Sequence, residues 1–522
     1  MKTYFNFFLL SVLLWNCKSV EKYNAKVTKK HSPVELQEDV DFAYSSLKKF
    51  HPNLYQYINK ETLEYNFETL KKSLTKPLSS LAFYKKIAPV IVSIRQGHTS
   101  ISSPHKLQTK KERKKNGVCK NIFRTLKFNT LNGKVYIEKG YGKDSLISKG
   151  IELLKIEGND VASLLKSYQN LTTGDGYNTT FVPDITRKNI GSFYNKTNRF
   201  KDSIQITLKN KDSVFTKYLY VFDKKKDINK KGKKLKIEKK KRTKTEKKLV
   251  KKKRKERLKW EYKHDYKKFT KEVVRDFKFI EKDDKKVAFL KITNFTDGGY
   301  KEFYDEVFNK IDSAKTENLV IDLRDNTGGS LREIAYFYSY MTDKPYQFIN
   351  PSKMVKGRCW LYPRTHSRSS FVKSVSYLLF PVLKTIQLLK VKKIEGVPHY
   401  VFKSSKIQKP KGKHNYKGKI YVLINAVSFS ASSVLSTNLK ATKRAFFVGQ
   451  ETGGAYNSTV AGNFVYAILP NSKENLRIGI MNIDTPYKKT PDGFGVKPDK
   501  QISITTLDKD EQLNWVLKNI VN

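Results

Sequence analysis

Apolar residues along the first hundred positions recur at helical spacing. Between about residues 33 and 94 this pattern is clearest in "VELQEDVDFAYSSLKKF" and "SSLAFYKKIAPVIVSI". Pro52 follows the first stretch, and Ser79 or Ser80 is placed to cap the helix of the second. The pattern predicts a helical N-terminal domain at residues 33–105.

Residues 118–222 have the shorter apolar period of β-strands around one short helix. The stretch "ISKGIELLKIEGNDVASLLKSY" predicts a strand, a Gly-Asn turn and then that helix. This order resembles the core of a PDZ-like domain, which binds a peptide at a sheet edge beside its helix. We interpret the region as PDZ-like, and a plain β-rich spacer is the alternative.

The last part of the chain alternates between strands and helices. "KVAFLKITNF", "NLVIDL", "KIYVLIN" and "AFFVG" predict strands, and "YKEFYDEVFNKIDSA" predicts a helix after the first of them. This alternation is typical of an α/β domain with a largely buried sheet, which we place at residues 275–515. Pro381 and Lys384 interrupt the apolar stretch at residues 375–389, which favours a buried or lid helix over a membrane span.

The charge balance is extreme, with 104 basic and 49 acidic residues among 522. Such an excess is typical of proteins that bind nucleic acid, anionic membranes or acidic substrates. Residues 224–259 alone contain 22 Lys/Arg and 4 Asp/Glu, without aromatic side chains that could stack on bases. We therefore interpret residues 223–270 as a solvated, partly helical insertion and linker, and expect no specific nucleic-acid site. A protein whose function is to bind membranes or polyanions through this charge is one alternative.

The N-terminus "MKTYFNFFLLSVLLWNCKSV" contains an apolar run of about a dozen residues, shorter than the roughly 20 that span a bilayer. It predicts a secretory signal peptide at residues 1–17. Cys17 at its end resembles the lipidated cysteine of a bacterial lipoprotein, and an ordinary signal peptide is the alternative. The resemblance implies a lipid-anchored protein of the cell envelope, in the periplasm or at the outer membrane.

Two strand ends carry residues suited to catalysis. The Gly-Gly turn of "IDLRDNTGGS" lets the backbone approach a substrate closely and direct N–H groups at it. In "INAVSFSASSVLSTNL" a serine lies at the start of a helix, where free N–H groups and the helix dipole stabilise an oxyanion. Either motif alone is weak, because serine-rich helix starts are usually caps.

Together the motifs resemble the tail-specific, or C-terminal processing, serine peptidase family. "NLVIDLRDNTGG", "SFSASS", "FFVGQETGG" and "DGFGVKPD" have that family's order and compatible spacing, and the resemblance covers most of residues 35–510. It implies a crotonase-like α/β catalytic domain that hydrolyses polypeptides, with Ser430 as the nucleophile. It also implies an oxyanion site formed by the N–H groups of Ala431 and of Gly328 or Gly329.

The base is where this chain departs from the better-known branch of the family. That branch has a lysine about 25 residues after the nucleophile, at the position that Ala455 occupies here. The chain is more similar to the branch without this lysine, which includes tricorn-type and interphotoreceptor-retinoid-binding-protein-like members. That resemblance implies His98 of "RQGHTS" as the base and Asp492 of "DGFGVKPD" as the carboxylate that orients it. Gly97 stands where that branch can have a serine.

Some alternatives remain open at this point. Glu451 is the second candidate for the orienting carboxylate, since Asp492 is one methylene shorter than glutamate. His366 and His399 are the other histidines that could line the cleft. A catalytically inactive peptide-binding envelope protein on the same scaffold is the alternative function. Three scattered cysteines and the lack of a Cys/His cluster or a phosphate-binding loop predict no metal and no cofactor.

Overall fold

The computed structural model describes residues 20–109, 111–112, 122–140, 147–198, 203–220, 243–282, 285–355, 385 and 389–520. The predicted signal peptide with Cys17, most of the apolar stretch at residues 375–389, and His366 lie outside these ranges. Within them, no helix has the length and apolar character needed to cross a membrane. The described helices are α1 Val20–Thr28, α2 Pro33–Phe50, α3 Lys60–Lys72, α4 Ser80–Val92, α5 Val161–Gln169, α6 Phe181–Lys188, α7 Ile190–Thr197, α8 Lys244–Lys263, α9 Tyr300–Ser313, α10 Leu331–Tyr338, α11 Ala431–Ala441 and α12 Glu511–Ile520.

The strands form several separate sheets. The described strands are β1 Lys30–His31, β2 Leu78–Ser79, β3 Ser100–Ser102, β4 Leu126–Leu131, β5 Lys134–Gly140, β6 Glu152–Ile156, β7 Asn159–Asp160, β8 Ser203–Asn210, β9 Ser213–Tyr220, β10 Arg275–Lys282, β11 Lys285–Ile292, β12 Asn318–Asp322, β13 Ser352–Lys353, β14 Val391–Ile394, β15 Val397–Tyr400, β16 Lys419–Ile424, β17 Phe446–Gly449, β18 Ser458–Ile468, β19 Asn475–Asp484 and β20 Lys500–Gln501.

Helices α2, α3 and α4 form the predicted N-terminal helical layer. A capping box between Ser32 and Glu35 fixes the start of α2, and Ser79 caps α4 by accepting the N–H of Ala82. The apolar faces of these helices pack on one another and on Leu476 and Ile478 of β19. The helical layer therefore shares a core with strands that lie almost 400 residues later in the chain.

The middle of the chain is a sheet with the strand order β4-β5-β6-β8-β9, to which β7 adds by pairing with β6. The predicted strand, turn and helix are present as β6, β7 and α5. The prediction of one short helix was wrong, because α6 and α7 follow α5. Their sequence "FVPDITRKNIGSFYNKT" includes Pro183 in the first turn of α6 and Gly191 in α7, which weakens the helical signal.

A six-stranded sheet with the order β10-β11-β12-β16-β17-β20 forms the centre of the C-terminal part. All neighbouring pairs from β11 to β20 are parallel, and β10 is an antiparallel edge. Helices α9, α10 and α11 cover one face, and α12 covers the other. Since β12 and β16 are parallel neighbours, the loops that follow their carboxyl ends meet at one edge of the sheet.

Helix α8 belongs to the Lys-rich segment. Thr243 and Glu246 form a capping box at its start, and none of its side chains is buried. Ion pairs join Lys259 to Glu302 and Lys263 to Glu306 of α9. The described part of the Lys-rich segment is thus a solvated helix without a core of its own.

Candidate active site

Ser430 lies at the turn between β16 and α11, in an unusual backbone conformation. Its φ is +56° and its ψ is −118°, a region that costs a non-glycine residue about 1–3 kcal/mol. It occupies the N-cap position of α11, yet its side chain makes no capping hydrogen bond. The hydroxyl is therefore not used to stabilise the helix and stands partly exposed above buried neighbours.

The turn is held by another serine. The Ser428 hydroxyl donates to the Leu323 carbonyl at 2.8 Å and accepts the N–H of Asn425 at 3.1 Å. Ser428 thereby ties the end of β16 to the end of β12. Ser432 and Ser433 are fully buried in the first turn of α11. Of the serines in "SFSASS", Ser430 is thus the one that presents its hydroxyl to a cavity.

His98 lies against Ser430 although 332 residues separate them in the chain. Its Nε2 is 2.9 Å from the Ser430 Oγ, within hydrogen-bonding distance. The imidazole packs beside Phe429 and Phe464, with ring centroids 5.2 and 5.8 Å away. This is the contact that a general base needs to take the proton of a serine hydroxyl.

Strand pairing carries His98 to this place. Just after the histidine, β3 joins the hairpin of β18 and β19 as an antiparallel third strand, with Ile101 opposite Leu476 and Ser100 opposite Arg477. Around the histidine, the N–H of Thr99 donates to the Gln96 carbonyl at 2.8 Å and closes a tight turn. The histidine thus lies between a helical end and a strand that belongs to a sheet of the C-terminal part.

Burial, and after it the positive charge of Arg477, lowers the pKa of His98 to about 3. The imidazole is consequently neutral near pH 7. Neutral imidazole is the form that accepts a proton from a serine hydroxyl, although the same burial and the charge of Arg477 disfavour the imidazolium that then forms.

The Gly-Gly loop after β12 touches the nucleophile turn. A Cβ on Gly328 would lie 2.7 Å from both the Ala431 nitrogen and the Ser430 Cβ, so only glycine fits there. The N–H of Gly328 donates to the Asn326 Oδ1 at 2.8 Å. The pairing of this loop with Phe295 uses the Gly328 carbonyl and the Ser330 N–H, and the N–H of Gly329 lies outside that ladder. Of the two predicted glycines, Gly329 therefore has the more available donor beside that of Ala431.

The predicted direct contact between Asp492 and His98 is not among the described hydrogen bonds. The Asp492 carboxylate accepts from the Gln56 Nε2 at 2.8 Å and from the Tyr57 hydroxyl at 3.4 Å. Gln56 in turn accepts from the Gln96 Nε2 at 3.1 Å, two residues before His98. In the described hydrogen bonds Asp492 thus reaches the histidine loop through two glutamines, and its role as the orienting carboxylate stays a prediction.

Glu451, the alternative carboxylate, has a different place. Its Oε1 accepts the N–H of Gly495 at 2.6 Å and the side-chain amide of Asn178 at 3.4 Å. It therefore braces the turn that follows Asp492 and does not contact His98 in the described hydrogen bonds. His399 bonds to the Val397 carbonyl within the β15 strand, and the described lining of the cavity around Ser430 does not include it.

Residues 173–188 contact every loop of the site, and we call them the connector. Asp175 accepts the N–H of Gly97 at 2.7 Å, and the Thr173 hydroxyl donates to the Gly97 carbonyl at 3.3 Å. Gly176 donates to the Arg95 carbonyl at 2.8 Å. The connector therefore holds the residue before His98 by both of its peptide groups.

The second half of the connector reaches the nucleophile and the Gly-Gly loop. Phe181 stacks on Phe429, the residue before Ser430, with ring centroids 4.4 Å apart and planes inclined by 16°. Lys188 forms an ion pair with Asp325 at the start of the Gly-Gly loop. The sequence gives no sign of these contacts, because "TTGDGYNTTFVP" reads as an ordinary polar loop.

Gly97 and Ala455, the two departures from the family pattern, both lie in close packing near Ser430. A Cβ on residue 97 would lie 2.4 Å from the Phe429 Cζ, so the ring of Phe429 excludes a serine there. Ala455 is buried, and the neighbouring Gly454 packs against the Ser430 nitrogen. The segment where the other branch has its lysine thus lies beside the nucleophile but supplies no amine.

Asp175 gives the site an expected pH dependence. Burial raises its pKa to about 6, against the N–H groups of Gly97 and Ala455 and the Thr459 hydroxyl, which favour the charged form. We expect kcat to fall as the pH drops through about 6, because the protonated carboxyl holds Gly97 less firmly. A neutral His98 adds no change in that range. In Asp175→Asn we expect kcat to be about tenfold lower, with KM less affected, and no inflection near pH 6.

The exposed Asp160 at the start of α5 provides the control, since Asp160→Asn should leave the profile unchanged. Stability should move in the opposite direction to activity. Because folding raises the Asp175 pKa, its contribution to the free energy of unfolding is fully present below its ordinary pKa and is lost as the pH rises through about 6. If the inflection of kcat near pH 6 persisted in Asp175→Asn, the assignment of that inflection to Asp175 would be contradicted.

Ser430 and His98 open into a cavity of about 970 Å³. Its walls include the Gly-Gly loop, the start of α10 and α11, the strands β18 and β19, and the segment after β15. Across the described residues, no three His, Cys, Asp or Glu side chains come close enough together to hold a metal ion. A cavity of this size accommodates several residues of an extended peptide.

Residues 286–502 match the family described as Peptidase family S41. A protein of Chlamydia muridarum (strain MoPn / Nigg), described as uncharacterized, is 26% identical over 267 residues, which cover 42% of this chain and 42% of that protein. The chain thus matches less than half the length of this curated relative.

Among solved structures, mature CPAF complexed with lactacystin has a TM-score of 0.59 at 15% identity, over 94% of this chain and 98% of that chain. Mature CPAF without this ligand has a TM-score of 0.58 at 14% identity, over 94% and 96%. The likeness shows that the chain has the mixed α/β fold of these structures.

Proposed function

We propose that the chain, which matches peptidase family S41 over residues 286–502, is a serine-type peptidase that cleaves polypeptides through an acyl-enzyme on Ser430, with His98 as the general base. The distance of 2.9 Å between the His98 Nε2 and the Ser430 Oγ carries this proposal. Two further observations support it, namely the neutral state of His98 and the strained turn that presents the serine hydroxyl.

In the first half of the proposed reaction, the neutral His98 takes the proton of Ser430 while the Oγ attacks the carbonyl carbon of the scissile peptide. The carbonyl oxygen becomes an oxyanion between the N–H groups of Ala431 and Gly329. The protonated His98 then donates its proton to the leaving amine. In the second half, His98 activates a water that hydrolyses the ester and releases Ser430.

In our proposal Asp492 acts on this reaction indirectly, through hydrogen-bonded side chains. Its carboxylate orders Gln56, and Gln56 orders Gln96 at the start of the histidine turn. Asp175 holds the same turn from the other side through Gly97. The imidazole is thus positioned through its backbone, and the described hydrogen bonds of its ring consist of the contact with Ser430.

A fluorophosphonate probe tests this function on the intact chain. We expect one covalent adduct, and peptide mapping by mass spectrometry should place it on Ser430. The same preparation should release new N-termini from an unfolded polypeptide such as casein. Intact protein that neither labels nor cleaves at pH 7.5 would favour the alternative, an inactive peptide-binding protein on this scaffold.

Three finer assignments belong to the same proposal. The parallel sheet with its serine turn supports a crotonase-like catalytic domain, and the strand, turn and helix at β6, β7 and α5 support a PDZ-like domain that captures an extended peptide. The sequence of residues 1–17 supports export and a lipid anchor at Cys17. We therefore place the activity in the cell envelope, on polypeptides that reach it.

A further inference from the structure

The cavity around Ser430 has two chemically different parts. Leu331 and Ala335 of α10 and Ala431 and Val434 of α11 form an apolar part, which begins next to Ser430. The other part is strongly basic. Its basic residues come from separate segments of the chain and are Lys301, Arg332, Lys390, Lys403, Lys409 and Lys411, and a further lining residue, Arg477, lies close to His98.

The acidic side chains near the cavity are already engaged. Asp297, the acidic residue of the described lining, accepts from the Ser330 hydroxyl and from Arg332. Asp305, behind the wall, binds Lys411. The carboxylates therefore neutralise part of the basic wall and offer nothing to a cationic substrate.

Three of the basic residues, Lys390, Lys403 and Lys409, form what we call the basic rim. All three are exposed, and no ion pair or side-chain hydrogen bond is described for them in the part of the chain covered by the structure. They lie on one wall, on either side of the β14–β15 hairpin and in the segment after it. Their charges are thus available to a molecule that enters the cavity.

The excess of basic over acidic residues at this wall is larger than the excess in the chain as a whole. The chain as a whole has 104 basic and 49 acidic residues, about two to one. The rim has three cations, and Asp297, the acidic residue of the described cavity lining, is bonded to Ser330 and Arg332. In a concave wall such charges reinforce one another and raise the local concentration of an anionic ligand.

We propose that the basic rim selects polypeptide segments in which Asp or Glu side chains flank an apolar residue at the cleaved bond. The apolar wall beside Ser430 receives the apolar residue, and the rim pairs with carboxylates two or more residues away. This inference rests on the proposed peptidase function and adds its substrate class.

Peptide binding to the full chain with Ser430→Ala tests the proposal without turnover. One fluorescein-labelled 12-residue peptide has leucines at its centre and Glu on both sides, and its partner has Gln in place of each Glu. Both have amidated C-termini. We expect the Glu peptide to bind about tenfold more tightly at about 0.1 M salt, as several small exposed ion pairs add up.

Matched variants separate the rim from general charge. Lys403→Glu with Lys409→Glu should reduce the ratio of the two dissociation constants to about two or less. Lys247→Glu with Lys251→Glu on the exposed helix α8 changes the net charge equally and should leave the ratio near ten. The milder pair Lys403→Gln with Lys409→Gln should give an intermediate ratio. This variant keeps the proposal testable if the first pair of substitutions causes misfolding.

Several outcomes would overturn the proposal. The first is equal binding of the two peptides. The second is a reduction of the ratio of dissociation constants in the α8 variant that equals the reduction in the rim variant. The third is no binding of either peptide. A Gln peptide with a free C-terminus that binds as tightly as the Glu peptide would show selection of the chain end instead. In each case, fluorophosphonate labelling of Ser430 in the wild type reports separately whether the peptidase proposal still holds.

Discussion

Replacing Ser430 with alanine should lower kcat by a factor of about 10³ or more and abolish labelling by a fluorophosphonate. The substitution removes the attacking oxygen, and no other described hydroxyl lies as close to the His98 Nε2. The melting temperature should change little, since the hydroxyl makes no capping bond to α11. Cleavage of casein, probe labelling and thermal unfolding measure the three effects.

Ser432 supplies the matched control for this experiment. It lies two residues farther along the same turn, its side chain is fully buried, and its hydroxyl has no described partner. Ser432→Ala should therefore retain both cleavage and labelling. Equal loss in the two variants would mean that the turn, and not the Ser430 hydroxyl, is what the reaction requires.

Replacing His98 with alanine should lower kcat by a factor of about 10³ to 10⁴, with a much smaller change in KM. Without the imidazole, the Ser430 hydroxyl has no group at 2.9 Å to take its proton. Activity in this variant should rise with pH over the alkaline range, as hydroxide replaces the missing base. Steady-state kinetics on one peptide between pH 6 and 9 measures this change.

The control for this experiment is a histidine from the C-terminal part of the chain. His399 bonds to the Val397 carbonyl in β15, outside the described lining of the cavity, and His399→Gln should keep at least half of the wild-type kcat. If His98→Ala remained fully active, the pairing of Ser430 with this imidazole would be without catalytic meaning. A base from another part of the chain would then have to be sought.

The sequence was sufficient to suggest the family and the class of enzyme, and the match of residues 286–502 to peptidase family S41 agrees with both. The helical layer and the strands β12 and β16 were also predicted, because their apolar periods are regular over many residues. The resemblance to the family was enough to select Ser430 and His98, the two residues that the structure brings into contact.

Long-range packing set the limit of the sequence-based predictions. No local pattern indicates that β3 pairs with β19, although that pairing places His98 beside the serine. Asp175 is 1% exposed, yet its sequence "GDG" is typical of a solvated turn. The partners of Asp492 were also missed, because Gln56 lies 436 residues away, in the loop between α2 and α3. Such contacts depend on tertiary structure that single-sequence periodicity does not contain.

The distance of 332 residues between the two reacting groups has a consequence for any shortened form of the protein. Residues 286–502, the segment that matches the peptidase family, contain Ser430 but neither His98 nor the connector. Expressed alone, this segment would be a domain with a nucleophile and without a base, and it would also expose the apolar faces of β19 that normally cover α2 and α4. Activity therefore belongs to the assembled chain, in which residues 20–109 and the connector together supply the missing half of the active site.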